Sequence, residues 1–261
     1  MLLTDTHAFT AGSNRIVSLV PSQTELLYYF GLEHETIGIT RFCIHPKQWF
    51  DTKTRIGGTK MLDLEKINSL SPTLILANKE ENIKQQVETL AEQLNVWVTD
   101  VNNLQDALSM INDIGILTGK TDKAKDLISA ILQKFATLQF AKPLKKVIYL
   151  IWQKPYMTIG GDTFISNMLL HAGYKNIYEE GKRYPEITLE DIRYSDCDYL
   201  FLSSEPFPFA QKHADELKAY LPKVKIVLVD GEMFSWYGSR LLKAVDYFDK
   251  IHQNIENHSL K

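Results

Sequence analysis

The sequence predicts an α/β protein made of two similar lobes, each with a central, mainly parallel sheet, and joined by a helix. Three observations carry this. One order of short apolar runs and amphipathic stretches occurs twice along the chain. A strand-free helical stretch separates the two occurrences. Composition is that of an ordinary globular chain: 261 residues, 44% hydrophobic, 23% charged, net charge −3.

The first occurrence opens with Arg15–Val20 as a buried strand, followed by Pro21. Ser22 and Glu25 have capping-box spacing before the helical run Thr24–Phe30, and Gly31 closes that run. Thr36–Thr40 reads as a second strand. The following stretch, residues 41–60, is polar and aromatic, broken by Pro46 and Gly57-Gly58, and reads as a long functional loop. Asp63 caps a short helix with Leu64, Ile67 and Leu70 on one face, and Pro72 stops it. Strand Thr73–Asn78, a helix near residues 83–94 and strand Val96–Asp100 complete the half.

The second occurrence has the same order. Lys145–Trp152 is a strand, Thr163 caps a helix that Gly173 closes, and residues 176–178 form a short strand. Thr188 caps a short helix, Asp198–Ser204 is a strand, and a helix near residues 213–221 leads to strand Lys225–Asp230. Two details agree between the halves: Leu64-Glu65-x-Ile67 with Leu189-Glu190-x-Ile192, and Val96–Asp100 with Ile226–Asp230. The expected organisation is a first lobe over 15–103, a helical connector over 104–142 and a second lobe over 143–257. In the connector a long helix starts at Thr121-Asp122, carries a stripe from Leu127 to Leu138 and ends before Pro143. Two Rossmann-like lobes bridged by one long α-helix is therefore the expected fold.

Several function classes lack their signatures. The charge balance argues against a nucleic-acid face. No G-x-S-x-G, H-E-x-x-H, Walker loop or G-x-G-x-x-G is present, so no catalytic residue is assigned and the chain reads as a non-enzyme. Cys43 and Cys197 make neither a disulfide framework nor a zinc spacing. Cys43 and His45 form a C-x-H pair without a second ligand pair, which reads as a packed cysteine and a loop histidine or as half of a shared site. No metal ligand set and no built-in cofactor are assigned. Residues 1–14 lack the pattern of a secretory signal, and no apolar segment is long enough to span a membrane.

Ligands of parallel α/β sheets bind beyond the carboxyl ends of the strands. In the first lobe this singles out Ser22, Phe42, His45, Lys60, Asn78 and Glu80. In the second it singles out Trp152, Tyr184, Glu205, Phe207 and the run Gly231–Arg240, with Phe234, Trp236, Tyr237 and Arg240. Phe234 and Trp236 either pack beneath their loop or face a ligand. Arg240 either grips an anion or pairs with Glu232. Gly160-Gly161 ahead of a helix is a weak anion-site signal, and His213 reads as a surface residue.

Residues 15–32, 63–78 and 230–240 together resemble the helical-backbone substrate-binding proteins of ABC importers, the class of the cobalamin, siderophore and haem binders. The resemblance covers nearly the whole chain. It implies a monomer that holds a metal chelate, cobalt- or iron-containing, between its lobes and delivers it to an ABC permease dimer from the periplasm. It also implies that Glu65 and Glu190 dock onto permease arginines. Phe42 and Tyr184 keep the aromatic character expected of a cobalamin binder, whereas Thr59 and Asn78 stand where tryptophans are expected, and the run Asn78–Asn82 points to a more polar cleft. The other expectation is a cytoplasmic chelate carrier, or a cofactor-modifying enzyme, on the same fold.

Overall fold

The computed structural model describes residues 1–6, 15–140 and 142–259, and the side chains of these up to residue 255. The chain forms two compact units. The first comprises Met1–Val101, Gln105–Leu132 and Trp236–Leu241; the second comprises Asn102–Leu104, Gln133–Ser235 and Leu242–Lys261.

In the first unit the strands are β1 (Leu2–Leu3), β2 (Ile16–Ser18), β3 (Thr36–Ile39), β4 (Thr54–Arg55), β5 (Leu74–Asn78) and β6 (Val96–Thr99). The helices are α1 (Pro21–Tyr29), α2 (Lys47–Thr52), α3 (Leu64–Ser69), α4 (Lys84–Ala91), α5 (Leu104–Leu117) and α6 (Thr121–Phe135), with the first residue of α5 and the last three of α6 belonging to the second unit. All pairings are parallel, in the order β1-β6-β5-β2-β3-β4. Central β2 and β5 are buried along their whole length, as continuous apolar runs should be when both faces are covered. Towards the edge, β6 is buried at its two ends, Val96 and Thr99, and accessible at Trp97 and Val98 between them.

The second unit contains strands β7 (Lys145–Leu150), β8 (Tyr156–Met157), β9 (Tyr174–Asn176), β10 (Glu186–Ile187), β11 (Tyr199–Ser203) and β12 (Lys225–Val229). Its helices are α7 (Phe164–His171), α8 (Leu189–Tyr194), α9 (Gln211–Tyr220), α10 (Glu232–Ser235) and α11 (Leu241–Ser259). The parallel sheet runs β12-β11-β7-β9, and β8 and β10 form a separate antiparallel pair. The order β6-β5-β2-β3 in the first unit is the order β12-β11-β7-β9 in the second. The repeat read in the sequence is thus a repeat of topology.

The repeat extends to helix ends. Asp63 and Thr188 accept from the backbone of Lys66 and Asp191, capping α3 and α8, and Thr163 caps α7. Gly31 and Gly173 follow α1 and α7 with φ of 74° and 78°, a left-handed conformation that glycine adopts without a Cβ penalty.

Several elements differ from the sequence reading. The Ser22/Glu25 capping box does not form. Pro21 occupies the first turn and starts α1 three residues before the expected run, because its fixed φ suits that position and its missing N–H is not needed there. The long loop 41–60 contains α2, whose Trp49 is fully buried edge-on against Tyr28 at 5.4 Å. Strand β9 begins two residues before the expected segment, directly after Gly173, and the Asn176 side chain ends it by accepting from Tyr178 N at 3.0 Å. Helix α6 stops at Phe135, short of Leu138: the Thr137 hydroxyl donates to Lys134 O at 2.7 Å and turns the backbone out of the helix. The expected boundaries also shift. The division between units falls inside α6, and Trp236–Leu241, expected in the second lobe, clusters with the first unit.

Candidate ligand-binding site

In the first unit the carboxyl ends of β2, β3, β5 and β6 meet a buried polar network. Thr99, the last residue of β6, is its hub. Its hydroxyl accepts from Gln23 Nε2 at 2.6 Å and from Asn78 Nδ2 at 3.1 Å, and donates to Ala77 O at 3.1 Å. The Asn78 side-chain Oδ1 accepts from the backbone N–H of Glu80 and Glu81 at 2.9 and 3.1 Å. Asn82 closes the turn: it accepts from Asn78 N at 2.9 Å and donates to Thr59 O at 3.1 Å. Asn78 is 3% exposed, so its side chain shapes the loop rather than presenting amide groups outward. Glu81 sits beside this turn, where burial pushes its carboxyl pKa up, with Lys60 opposing and Glu80 adding to the shift. The Lys60 ammonium donates to Glu80 O.

Trp236, Tyr237 and Arg240 belong to this same unit, and all three are buried. Arg240 Nε donates to Glu25 Oε2 at 2.8 Å, with side-chain exposures of 5% and 11%. The Arg240 guanidinium also lies 4.9 Å from the centroid of the Trp236 ring, and that ring meets His45 edge-on at 5.5 Å. Arg240 thus pairs with Glu25, the residue expected in the capping box. The Tyr237 hydroxyl lies beside Ser22, Thr99 and Glu81. Burial and then Glu81 push its pKa well above the ordinary phenol value, and hydrogen bonds with Ser22 and Thr99 pull it back.

Phe42 is the accessible aromatic of this face, 50% exposed, with the Arg41 guanidinium 5.2 Å from its ring centroid. His45 is half-buried. Cys43 turns into the core. Its sulfur accepts from the Thr24 hydroxyl at 3.1 Å and lies 3.2 Å from the Thr40 hydroxyl, and burial pushes its thiol pKa up. The C-x-H pair is therefore divided between core and surface.

The corresponding strand ends of the second unit carry aromatics. Trp152, 40% exposed, meets Phe207 edge-on at 5.7 Å; Phe207 in turn contacts Phe209 at 4.7 Å and His213 at 5.3 Å. Phe207 N donates to Ile151 O at 3.2 Å, and Pro206 and Pro208 stiffen the segment on both sides. His213 is buried rather than on the surface: its Nδ1 accepts from Ala210 N at 2.9 Å and caps α9. The Glu205 carboxylate accepts from the Ser235 hydroxyl. Tyr184 is half-buried in the segment that runs along residues 158–161. There Gly160 N and Gly161 N donate to Arg183 O and Gly181 O, so the weak anion-site signal of this glycine pair is corrected. Phe234 is corrected as well. It has no exposed surface and packs against Tyr149 at 5.5 Å and Phe248 at 5.1 Å, as part of the core.

Glu65 and Glu190 are both exposed, each the second residue of a six-residue helix. Among the described residues no three or more His, Cys, Asp or Glu side chains converge as a metal site, and no helix is long and apolar enough to cross a membrane.

The residues missed in the sequence are Gln23, Thr99 and Arg41. Asn82 was legible as the end of the polar run Asn78–Asn82, since asparagine side chains bond backbone a few residues away.

A family described as periplasmic binding protein matches residues 16–222. The chain belongs to that family. Among curated relatives, the vitamin B12-binding protein of Photorhabdus laumondii is 23% identical over 248 residues, 92% of this chain and 88% of that one. An uncharacterized ABC transporter substrate-binding lipoprotein of Bacillus subtilis, YvrC, is 25% identical over 247 residues, 89% of this chain and 77% of that one. Among solved structures, the periplasmic heme-binding protein RhuT of Roseiflexus has the same fold, with a TM-score of 0.79, 19% identity, and coverage of 91% of this chain and 97% of that one. Periplasmic binding proteins of this two-lobed fold thus set the architecture of the chain.

Proposed function

We propose that this periplasmic binding protein is the substrate-binding component of an ABC importer and takes a metal chelate of the cobalamin, siderophore or haem type. The observation that supports it most is the gathering of Trp236, Tyr237, Ser22 and Thr99 at the carboxyl ends of the first sheet's strands, where parallel sheets bind ligands. Phe42, His45, Lys60 and Glu80 of the first unit supply the outer contacts there, and Trp152, Tyr184, Glu205 and Phe207 are the contact candidates at the equivalent strand ends of the second unit. Asn78 and Arg240 position their neighbours and do not touch the ligand. Glu65 and Glu190 dock onto cationic residues of a permease dimer, an arrangement that suits acidic side chains in exposed first turns. The chain holds no cofactor of its own; the metal arrives within the ligand. The YvrC and vitamin B12-binding relatives favour this reading over an enzyme.

Titration of the purified protein with cobalamin, haem and ferric siderophores, followed by tryptophan fluorescence, tests it. A saturable change with one of them is expected, because Trp152 and Trp236 are among the proposed contacts. A flat response to all three overturns the metal-chelate reading.

A further inference from the structure

Among the described residues the second sheet ends on an unmatched edge. In the first unit β6 pairs on its outer side with β1, so that Leu2 and Leu3 lie in parallel register with Val96 and Trp97. Its counterpart β12 pairs only with β11 among the described residues. An edge strand presents unpaired backbone donors and acceptors, which is a template for another extended segment. At this edge lies a groove of about 690 Å³, lined by β12 together with stripes of α9 and α11. Ala214 and Lys218 are four residues apart on α9, and Tyr247 and Ile251 four apart on α11, so each helix turns one face to the groove. Leu228 of β12 is 40% exposed there.

The groove is also charged. Lys218, Lys225 and Lys250 line it, against one carboxylate, Asp215, which accepts from Gln211. The acceptors of the Lys218 ammonium are the neutral carbonyls of Pro222 and Val224, so its charge is not cancelled.

We infer that the β12 groove is a docking site for an extended segment of another protein, one that interleaves apolar residues with Asp or Glu and adds to β12 as a further strand. The molecule supplies the precedent in β1, which closes the equivalent edge of the first sheet. Backbone pairing would give the affinity, and alternate side chains the specificity. The three ammonium groups select against a basic segment. They also disfavour a second copy of this chain, whose own β12 edge would bring three more.

The test uses the full chain and three labelled seven-residue peptides: leucine alternating with glutamate, leucine alternating with lysine, and the glutamate peptide with proline at alternate leucines. Fluorescence anisotropy should show saturable binding of the first alone. Proline removes the N–H donors and should abolish binding. Lys225→Glu with Lys250→Glu, both on exposed side chains, should weaken the glutamate peptide by about tenfold or more while leaving the melting temperature and chelate binding unchanged. Three results overturn the inference: equal binding of the glutamate and lysine peptides, indifference to the double charge reversal, or sedimentation showing that the groove is occupied by a second copy. The chelate titration reports separately, so failure here leaves the proposed function standing.

Discussion

The two units share one strand order and differ in what stands at the carboxyl ends of those strands. In the first, a network of buried polar side chains, Gln23, Asn78, Asn82 and Thr99, holds the loops from within, and a buried ion pair joins Glu25 to Arg240. In the second, the same position in the fold carries Trp152, Phe207 and Phe209, with Phe207 set between Pro206 and Pro208. The sheet sets where a ligand can be met. The loops set by what chemistry, because they can vary without disturbing the core.

The comparison breaks most sharply at Arg240. Arg240→Ala strands the Glu25 carboxylate in a buried setting, with an expected loss of about 3–5 kcal/mol in urea unfolding. Replacing both partners, Glu25→Gln with Arg240→Met, should cost less than the single change. If the single change is neutral, the first unit is not held by this pair. Next comes Asn82→Ala, which leaves Asn78 N without its acceptor, at about 1–3 kcal/mol in the same measurement. On the second unit Trp152→Ala should move stability by less than about 1 kcal/mol, since the ring is half-exposed. It should nevertheless weaken chelate binding by about tenfold, or about 1.4 kcal/mol, in fluorescence titration. A loss of stability without a loss of affinity would reassign that aromatic cluster to the core.

Glu81 tests the polar network by pH. Its carboxyl pKa is raised by burial, so the native state binds the proton more readily than the unfolded chain does. Stability from this group is then highest below the unfolded-state value and falls as pH rises through the raised native value. Glu81→Gln should remove that decline, leaving the variant relatively more stable at neutral pH than at pH 4 in parallel urea melts. The smallest effect belongs to Glu65→Ala and Glu190→Ala. Both should leave stability within about 0.5 kcal/mol and chelate affinity unchanged, while uptake in a reconstituted importer is lost.

Much of the fold was legible because it rests on local chemistry. Asp63, Thr163 and Thr188 cap the helices they were expected to cap, and Gly31 and Gly173 end theirs, since caps and left-handed glycines act within a few residues. The buried strands were legible as apolar runs. Less of the site could be read. Ser22 with Glu25 has capping-box spacing, yet Pro21 takes over the helix start and Glu25 joins a residue 215 positions away. Phe234 and Trp236 are two residues apart in one aromatic string. One lies in the second unit's core, the other beside His45 in the first unit.

By itself, then, the sequence determined the repeated strand–helix order, the helix ends, and the strand termini at which a ligand site can form. These follow from residue-by-residue propensities and from apolar periodicity. Tertiary structure alone decided that Trp236–Leu241 joins the first unit, that the Asn78 amide turns inward onto Thr99, and that β6 is closed by Leu2–Leu3 while β12 is left open among the described residues. Each of those outcomes depends on a partner distant in the chain, and no local pattern encodes which distant group will satisfy a buried charge, an amide or a sheet edge.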